Sequence, residues 1–171
     1  YYSFFKINTF IVFVMDLTGE LPPHELDSDF TVLKPTIEEL RAYREGLDHL
    51  PREFYYDELH GIKNVYLVLC NDEIAYIHWV YVKGDPNRFL HLSDGVAELN
   101  YNTTLPKFRG RGLMKKMMRY IHLDLKKQGF TKACGLANAD NIPAVKSALR
   151  AGFQVHSRVK AIGPFNRKIV I

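Results

Sequence analysis

Pro106-Lys107-Phe108-Arg109-Gly110-Arg111-Gly112-Leu113-Met114 joins a strand-like segment to the start of a strongly periodic helix. Two glycines one residue apart remove the Cβ from a tight turn, so several backbone N–H groups can approach a ligand closely. Beyond the turn, Leu113, Met117, Ile121 and Leu125 recur at helical spacing, while Lys115, Lys116, Arg119, Lys126 and Lys127 fall on other faces. The result is an amphipathic helix whose positive N-terminal dipole faces the glycine turn. Geometry and charge together make this an anion cradle of the kind that holds a phosphate.

Reading upstream, residues 95 to 104 form a strand that leads straight into the turn. Before it, residues 64 to 70 and 73 to 82 flank Asn71-Asp72, a two-residue hairpin connection, with Trp79 and Tyr81 on one face and His78 and Val80 on the other. Residues 29 to 34 alternate as a first strand, and Pro35-Thr36 opens a helix with Thr36 as N-cap and Glu39 completing a capping box. A short second helix follows Pro51 and runs toward Gly61. Residues 1 to 28, rich in Tyr, Phe, Ile and Val and then broken by Thr18-Gly19 and Pro22-Pro23, read as a strand-bearing N-terminal extension or the tail of a preceding domain.

Downstream, Thr131 to Ala137 is a short strand of small and apolar residues. Asn141 and Pro143 start another helix that ends at Gly152. Residues 153 to 160 and 168 to 171 read as two closing strands joined through Gly163-Pro164. The sum is an α+β fold, an α/β sandwich: a mixed, mostly antiparallel sheet of six to seven strands flanked by helices on both faces.

Bulk properties narrow the partners. A chain of 171 residues with 47% apolar content builds one domain with a full core. The net charge of +4 is too mild to argue for nucleic acid, and the aromatics lie mostly outside the basic helix, where stacking on bases would need them. Cys70 and Cys134 sit in apolar strand runs, which suits core packing in a reducing compartment such as the cytoplasm and argues against a metal. The longest unbroken apolar run, Phe10 to Met15, is far short of the roughly 20 residues of a membrane span. The chain begins with Tyr1 and not Met, as a fragment or processed product would, so a lost targeting segment stays open.

Around the glycine turn the chain resembles the GNAT superfamily of acyl-CoA-dependent N-acyltransferases, whose motif reads Gln/Arg-x-x-Gly-x-Gly/Ala with a strand and a Pro upstream. Arg109, Gly112 and Pro106 match, and Met114 stands where that family prefers Gly or Ala. A second constellation, Asn141-x-x-Ala144-x-x-Ser147-x-x-Arg150-x-Gly152-Phe153, resembles another signature of the same superfamily. The two follow in the right order, and the resemblance covers residues 29 to 171, leaving 1 to 28 as the extension.

The resemblance implies acetyl-CoA as co-substrate, no metal, and an N-acyltransferase that moves an acetyl group to a primary amine of a small molecule or protein within a ternary complex. It implies that Arg109, Gly110, Arg111, Gly112, Leu113 and Met114 hold the pyrophosphate and Asn141 the pantetheine or pyrophosphate arm. Arg111, Lys115 and Lys146 are candidate phosphate partners, set against the plainer reading of solvated surface charges. A backbone N–H near Thr103, Thr104 or Leu105 would polarise the thioester oxygen where the strands splay.

Members of the family commonly draw a carboxylate base from the strand before the cradle, so the resemblance implies Glu98, the only carboxylate of that strand and, by the period of two, on one face with Asn100 and Asn102; His78 and His91 are weaker alternatives. The helices after the first strand would cover the acceptor, making Arg52, Phe54, Tyr55 and Tyr56, with Trp79, candidate contacts. Many members carry a Tyr seven residues after the motif Asn as the acid for the thiolate, and Ala148 stands there instead. Another Tyr, Ser147 or water would then serve. The missing phenol motivates the alternative of an acyl-CoA-binding module without turnover. A homodimer is left open.

Overall fold

The structure, a computed structural model, describes residues 7–87, 89–162 and 169–170. The expected Gly163-Pro164 connection and the first residues of the extension lie outside the described residues. The elements run β1 (Ile7–Asp16), β2 (Phe30–Leu33), α1 (Ile37–Arg44), α2 (Tyr56–His60), β3 (Asn64–Cys70), β4 (Glu73–Tyr81), β5 (Leu90–His91), β6 (Val96–Thr104), α3 (Leu113–Lys127), β7 (Lys132–Asn138), α4 (Ile142–Ala151), β8 (Gln154–Ile162) and β9 (Ile169–Val170). Single 3-10 turns at Arg52–Tyr55 and Pro106–Phe108 lead toward α2 and the glycine turn.

Local chemistry accounts for most boundaries. Thr36 accepts the Glu39 N–H at 3.2 Å while the Glu39 carboxylate accepts the Thr36 N–H at 2.7 Å, so the capping box forms as read. Asn71 and Asp72 both take positive φ, 48° and 66°, the backbone of a primed hairpin turn between β3 and β4. Asn141 caps α4 through a 3.3 Å bond from the Ala144 N–H.

One seven-stranded sheet, ordered β2-β3-β4-β6-β7-β1-β8, organises the chain. Every neighbouring pair in it is antiparallel except β6 with β7. Alternation sorts the side chains onto two cores. Phe13, Tyr66, Val68, Tyr76, Val80 and Leu99 pack on one face with Leu113, Met117, Ile121 and Ala148 of α3 and α4. Val12, Val65, Leu67, Ile77, Trp79 and Cys134 pack on the other with Leu40, Phe54, Tyr56 and Ile62 from the α1/α2 side. Both cysteines are free and buried in these cores.

Two expectations change. The segment read as an extension supplies β1, which lies between β7 and β8 with Val12 fully buried, so it is inside the sheet and not appended to it. The unbroken apolar run of residues 10 to 14 fits a strand covered on both faces, and pairing along both edges satisfies its backbone. The last strand does not close the main sheet: β9 pairs in parallel with β5 in a separate two-stranded ribbon.

Candidate active site

The parallel pairing of β6 with β7 is short, running from Val96–Lys132 to Glu98–Cys134. Beyond it the strands part, just after Gly135, where a Cβ would meet the Leu99 carbonyl at 3.1 Å. A groove of about 700 Å³ opens there, lined by Leu99 to Thr104 on one side and Gly135 to Asn138 on the other, with Phe13, Met118, Asn141, Ser147, Ala148 and Phe153 around it. Leu105 N–H donates to the Ala75 carbonyl at 2.9 Å, so the ladder with β4 uses it. Alternation then turns the N–H groups of Asn102 and Thr104 toward the gap. The Leu105 N–H, and by the same alternation that of Thr103, faces β4, contrary to the oxyanion role expected of them.

The outer end of the groove is the glycine turn, bracketed by Arg109 and Met114 on its lining. Gly110 and Gly112 take φ of 82° and 70°, a conformation that costs other residues strain, and Gly112 is the N-cap of α3. The first backbone bond of the helix runs from Lys116 N–H to the Gly112 carbonyl at 3.2 Å. Among the described residues, the N–H groups from Gly110 to Lys115 therefore donate to no protein acceptor. Such a concavity of donors suits a diphosphate. Arg109 stays exposed, its Nε donating to the Thr104 carbonyl at 3.2 Å. Lys115 and Lys146 make no ion pair among the described residues.

Arg111 does something else. Its guanidinium holds Asp27 at 2.9 Å and Asp29 at 2.8 Å and lies 4.0 Å from the Phe30 ring centroid, while Lys116 holds Asp27 at 2.6 Å. The arginine keeps the Asp29 carboxyl down at about 2. The side chain thus straps the β1–β2 connection onto α3 and is committed before any phosphate arrives; only its backbone N–H belongs to the cradle.

Tyr101 takes φ of 49° at the point where the β4–β6 register shifts from His78–Asn102 to Trp79–Asn100. This bulge breaks the alternation. Glu98 and Asn100 share the α1/α2 face, but Asn102, opposite His78, falls on the α3/α4 face, contrary to the period-of-two expectation. Asn100 and Tyr101 consequently line two cavities at once: the groove, and a chamber of about 370 Å³ on the α1/α2 face formed with Arg52, Tyr56, His60, Tyr81, Asn87 and others.

Glu98 lies behind that chamber, 1% exposed. Asn100 donates to one carboxylate oxygen at 2.8 Å and Asn87 to the other. Burial raises the carboxyl from its ordinary range to about 7, against the lowering pull of the two amides. Tyr81 and Cys134 are the other ionisable groups that feel this charge. A carboxylate poised there can take a proton near neutrality.

His78 does not reach the chamber. It is fully buried on the opposite face, its Nδ1 2.7 Å from the Tyr76 hydroxyl, and burial drives it down to about 3. His91 is exposed on β5.

Of the expected acceptor contacts, Arg52 and Tyr56 reach the chamber. Trp79 is fully buried, donating its indole N–H to the Glu53 carbonyl at 2.6 Å, so it packs instead of binding. Phe54 is also core. Tyr55 turns the other way and stacks on Arg44, 4.8 Å from ring centroid to guanidinium, where Arg44 pairs with Asp57. Alternation alone sets Asn100 on the face of Glu98, but Asn87 and Tyr101 carry no signal in the sequence, because their places arise from a loop and a bulge that meet only in the fold. No group of three or more His, Cys, Asp or Glu among the described residues could hold a metal. No described helix is long and apolar enough to cross a membrane.

Residues 35–153 match the model of the acetyltransferase (GNAT) family. No curated protein matches the sequence. Among solved structures, the chain is similar to an acetyltransferase of that family from Novosphingobium aromaticivorans, at 19% identity and a TM-score of 0.61, covering 92% of this chain and 64% of the other. A GCN5-related N-acetyltransferase from Sphaerobacter thermophilus aligns with a TM-score of 0.64 at 14% identity over 96% of this chain and 55% of its own. The glucosamine N-acetyltransferase region of a fungal multi-domain β-N-acetylglucosaminidase reaches 0.66 at 12% identity, covering 91% of this chain and 21% of that one. The chain thus spans less than two thirds of the length of each, and at these identities the likeness is one of fold.

Proposed function

The chain belongs to the acetyltransferase (GNAT) family, and from that premise we propose that it moves an acetyl group from acetyl-CoA to a primary amine by direct attack in a ternary complex. The observation that carries the proposal is the meeting of two cavities at Asn100 and Tyr101: the β6–β7 groove with a backbone cradle at its outer end, and a chamber backed by a buried carboxylate. The N–H groups of Gly110 to Lys115 hold the diphosphate, helped by Arg109. The open edges of β6 and β7 take the pantetheine arm as an extra strand would be taken, with Asn141 and Ser147 beside it.

The acyl carbonyl then lies at the bulge, where the N–H groups of Asn102 and Thr104 meet the negative charge that builds on its oxygen. An amine of pKa about 10 must lose a proton before it can attack. Glu98 accepts that proton through one intervening water, since Asn87 and Asn100 stand between it and the chamber. As the nitrogen–carbon bond forms and the carbon–sulfur bond breaks, the thiolate takes a proton from Tyr101, which borders both cavities where Ala148 offers no phenol, and the phenolate is made good by the proton that the acylated nitrogen sheds.

The test is steady-state thiol release with acetyl-CoA and an amine panel, beside calorimetric titration of acetyl-CoA. Amine-dependent release is the expected result. Absence of acetyl-CoA affinity would overturn the proposal. Binding without release would replace it by the second reading, an acyl-CoA-binding module, which Ala148 favours.

A further inference from the structure

The chamber on the α1/α2 face has a definite character. Its walls are rings: Tyr56 meets Tyr101 edge-on at 4.7 Å and His60 at 4.7 Å, and Tyr81 lies 5.8 Å from Tyr101. Its floor is the amide pair Asn87 and Asn100, with Glu98 hidden behind them. Among the described residues no carboxylate stands on the lining; the neighbouring Glu53 lines the other cavity. The one permanent charge on the wall, among the described residues, is Arg52 at the rim.

Arg52, exposed at the rim, is not committed to an acid among the described residues, whereas several other cations are. Arg44 is held by Asp57 and Glu58, Arg111 by Asp27 and Asp29, Lys107 by Glu73 and Lys83 by Asp94. Arg52 makes no ion pair or hydrogen bond among the described residues. A planar fork of donors left unpaired at the mouth of a small cavity matches an oxyanion bidentately, and it repels a ligand that brings only positive charge. The aromatic walls suit an apolar or aromatic body between the two ends. The cavity, about 370 Å³, is of small-molecule size.

We propose that the acceptor is a small amino acid-like molecule, its carboxylate held by Arg52 and its amine delivered to the Asn87–Asn100 edge in front of Glu98. This rests on the acetyl-transfer reading above. Polyamines and lysine side chains of proteins are disfavoured, because neither brings an anion to the rim.

Matched pairs of amines test it on the full chain with saturating acetyl-CoA: phenylalanine against phenethylamine, and β-alanine against propylamine. The carboxylate-bearing member of each pair is expected to show a kcat/KM about tenfold or more above its mate without one, the difference residing in KM. Arg52→Gln is expected to bring that ratio toward one, and Arg52→Lys to retain part of it. A ratio at or below one in the native chain, or one that survives Arg52→Gln, overturns the proposal. The dissociation constants of N-acetylphenylalanine and N-acetylphenethylamine read the same contact without turnover. If no amine releases thiol, the transferase reading fails while the ratio of those constants still decides the role of Arg52.

Discussion

The groove that would take the acyl donor and the chamber that would take the acceptor touch at Asn100 and Tyr101, yet they are made of different materials. The groove is main chain: two glycines, the first turn of a helix, and the edges of two strands that have stopped pairing. The chamber is side chain, assembled from the α2 region, β4, the loop before β5, and β6. A surface of backbone is insensitive to most substitutions but cannot be retuned. A surface of side chains is easily retuned and easily broken. Chemistry common to a family belongs on the first kind, and selectivity on the second.

The sharpest way to break that division is Glu98→Gln. If the buried carboxylate belongs to catalysis alone, kcat falls about a hundred- to ten-thousandfold, acetyl-CoA affinity stays, and the rise in rate through pH 7 disappears. Loss of acetyl-CoA affinity in step with rate would merge the two regions into one.

Next comes Gly112→Val, which forces a β-branched residue into a φ of 70° at a cost of about 1–3 kcal/mol. Acetyl-CoA affinity is expected to fall about tenfold or more, while the preference among amines is preserved; calorimetry and the amine panel read the two separately.

The two faces also respond oppositely to acid. Glu98, held at about 7 in the fold against its usual 4.5, keeps its proton where the unfolded chain has lost it, so acidification from pH 7 toward 4.5 favours the folded state. His78 and His122, pushed down by burial to about 3 and 4, stay neutral where the unfolded chain is charged. Their contribution is complete above pH 6.5 and is lost as pH falls toward 4. Melting temperatures across pH 7.5 to 4.5 should therefore drop more steeply in Glu98→Gln than in the native chain, and less steeply in His122→Leu.

The smallest effect belongs to Arg111→Met. Its ion pairs are part-exposed, so a slight loss of thermal stability is expected, fading in high salt, with acetyl-CoA affinity unchanged. A marked loss of affinity would return Arg111 to the cradle.

Legibility in the sequence follows the same division. The cradle could be read because its parts are contiguous: Gly110, Gly112 and the periodic helix state their geometry within a few residues. The capping box at Thr36 and the Asn71-Asp72 turn were open to reading for the same reason. Glu98 stands out as the one carboxylate of its strand, but its partner Asn87 does not, since nothing local marks a loop asparagine as the donor to a carboxylate eleven residues on. Trp79 and Tyr55 were misplaced because an aromatic on a strand or short helix does not say which neighbour it meets. The Tyr101 bulge was invisible, and it moved Asn102 to the opposite face.

Strand β1 sets an order of events. Its edges are completed by residues 132–138 and 154–162, and its Phe13 side chain forms part of the groove wall. A ribosome making this chain emits β1 well before residues 132–138 and 154–162, and this wall of the groove must wait unpaired until both have emerged. Contacts spanning so much of the polypeptide close slowly, so this half of the sheet is where a nascent or heat-stressed molecule would first need a chaperone.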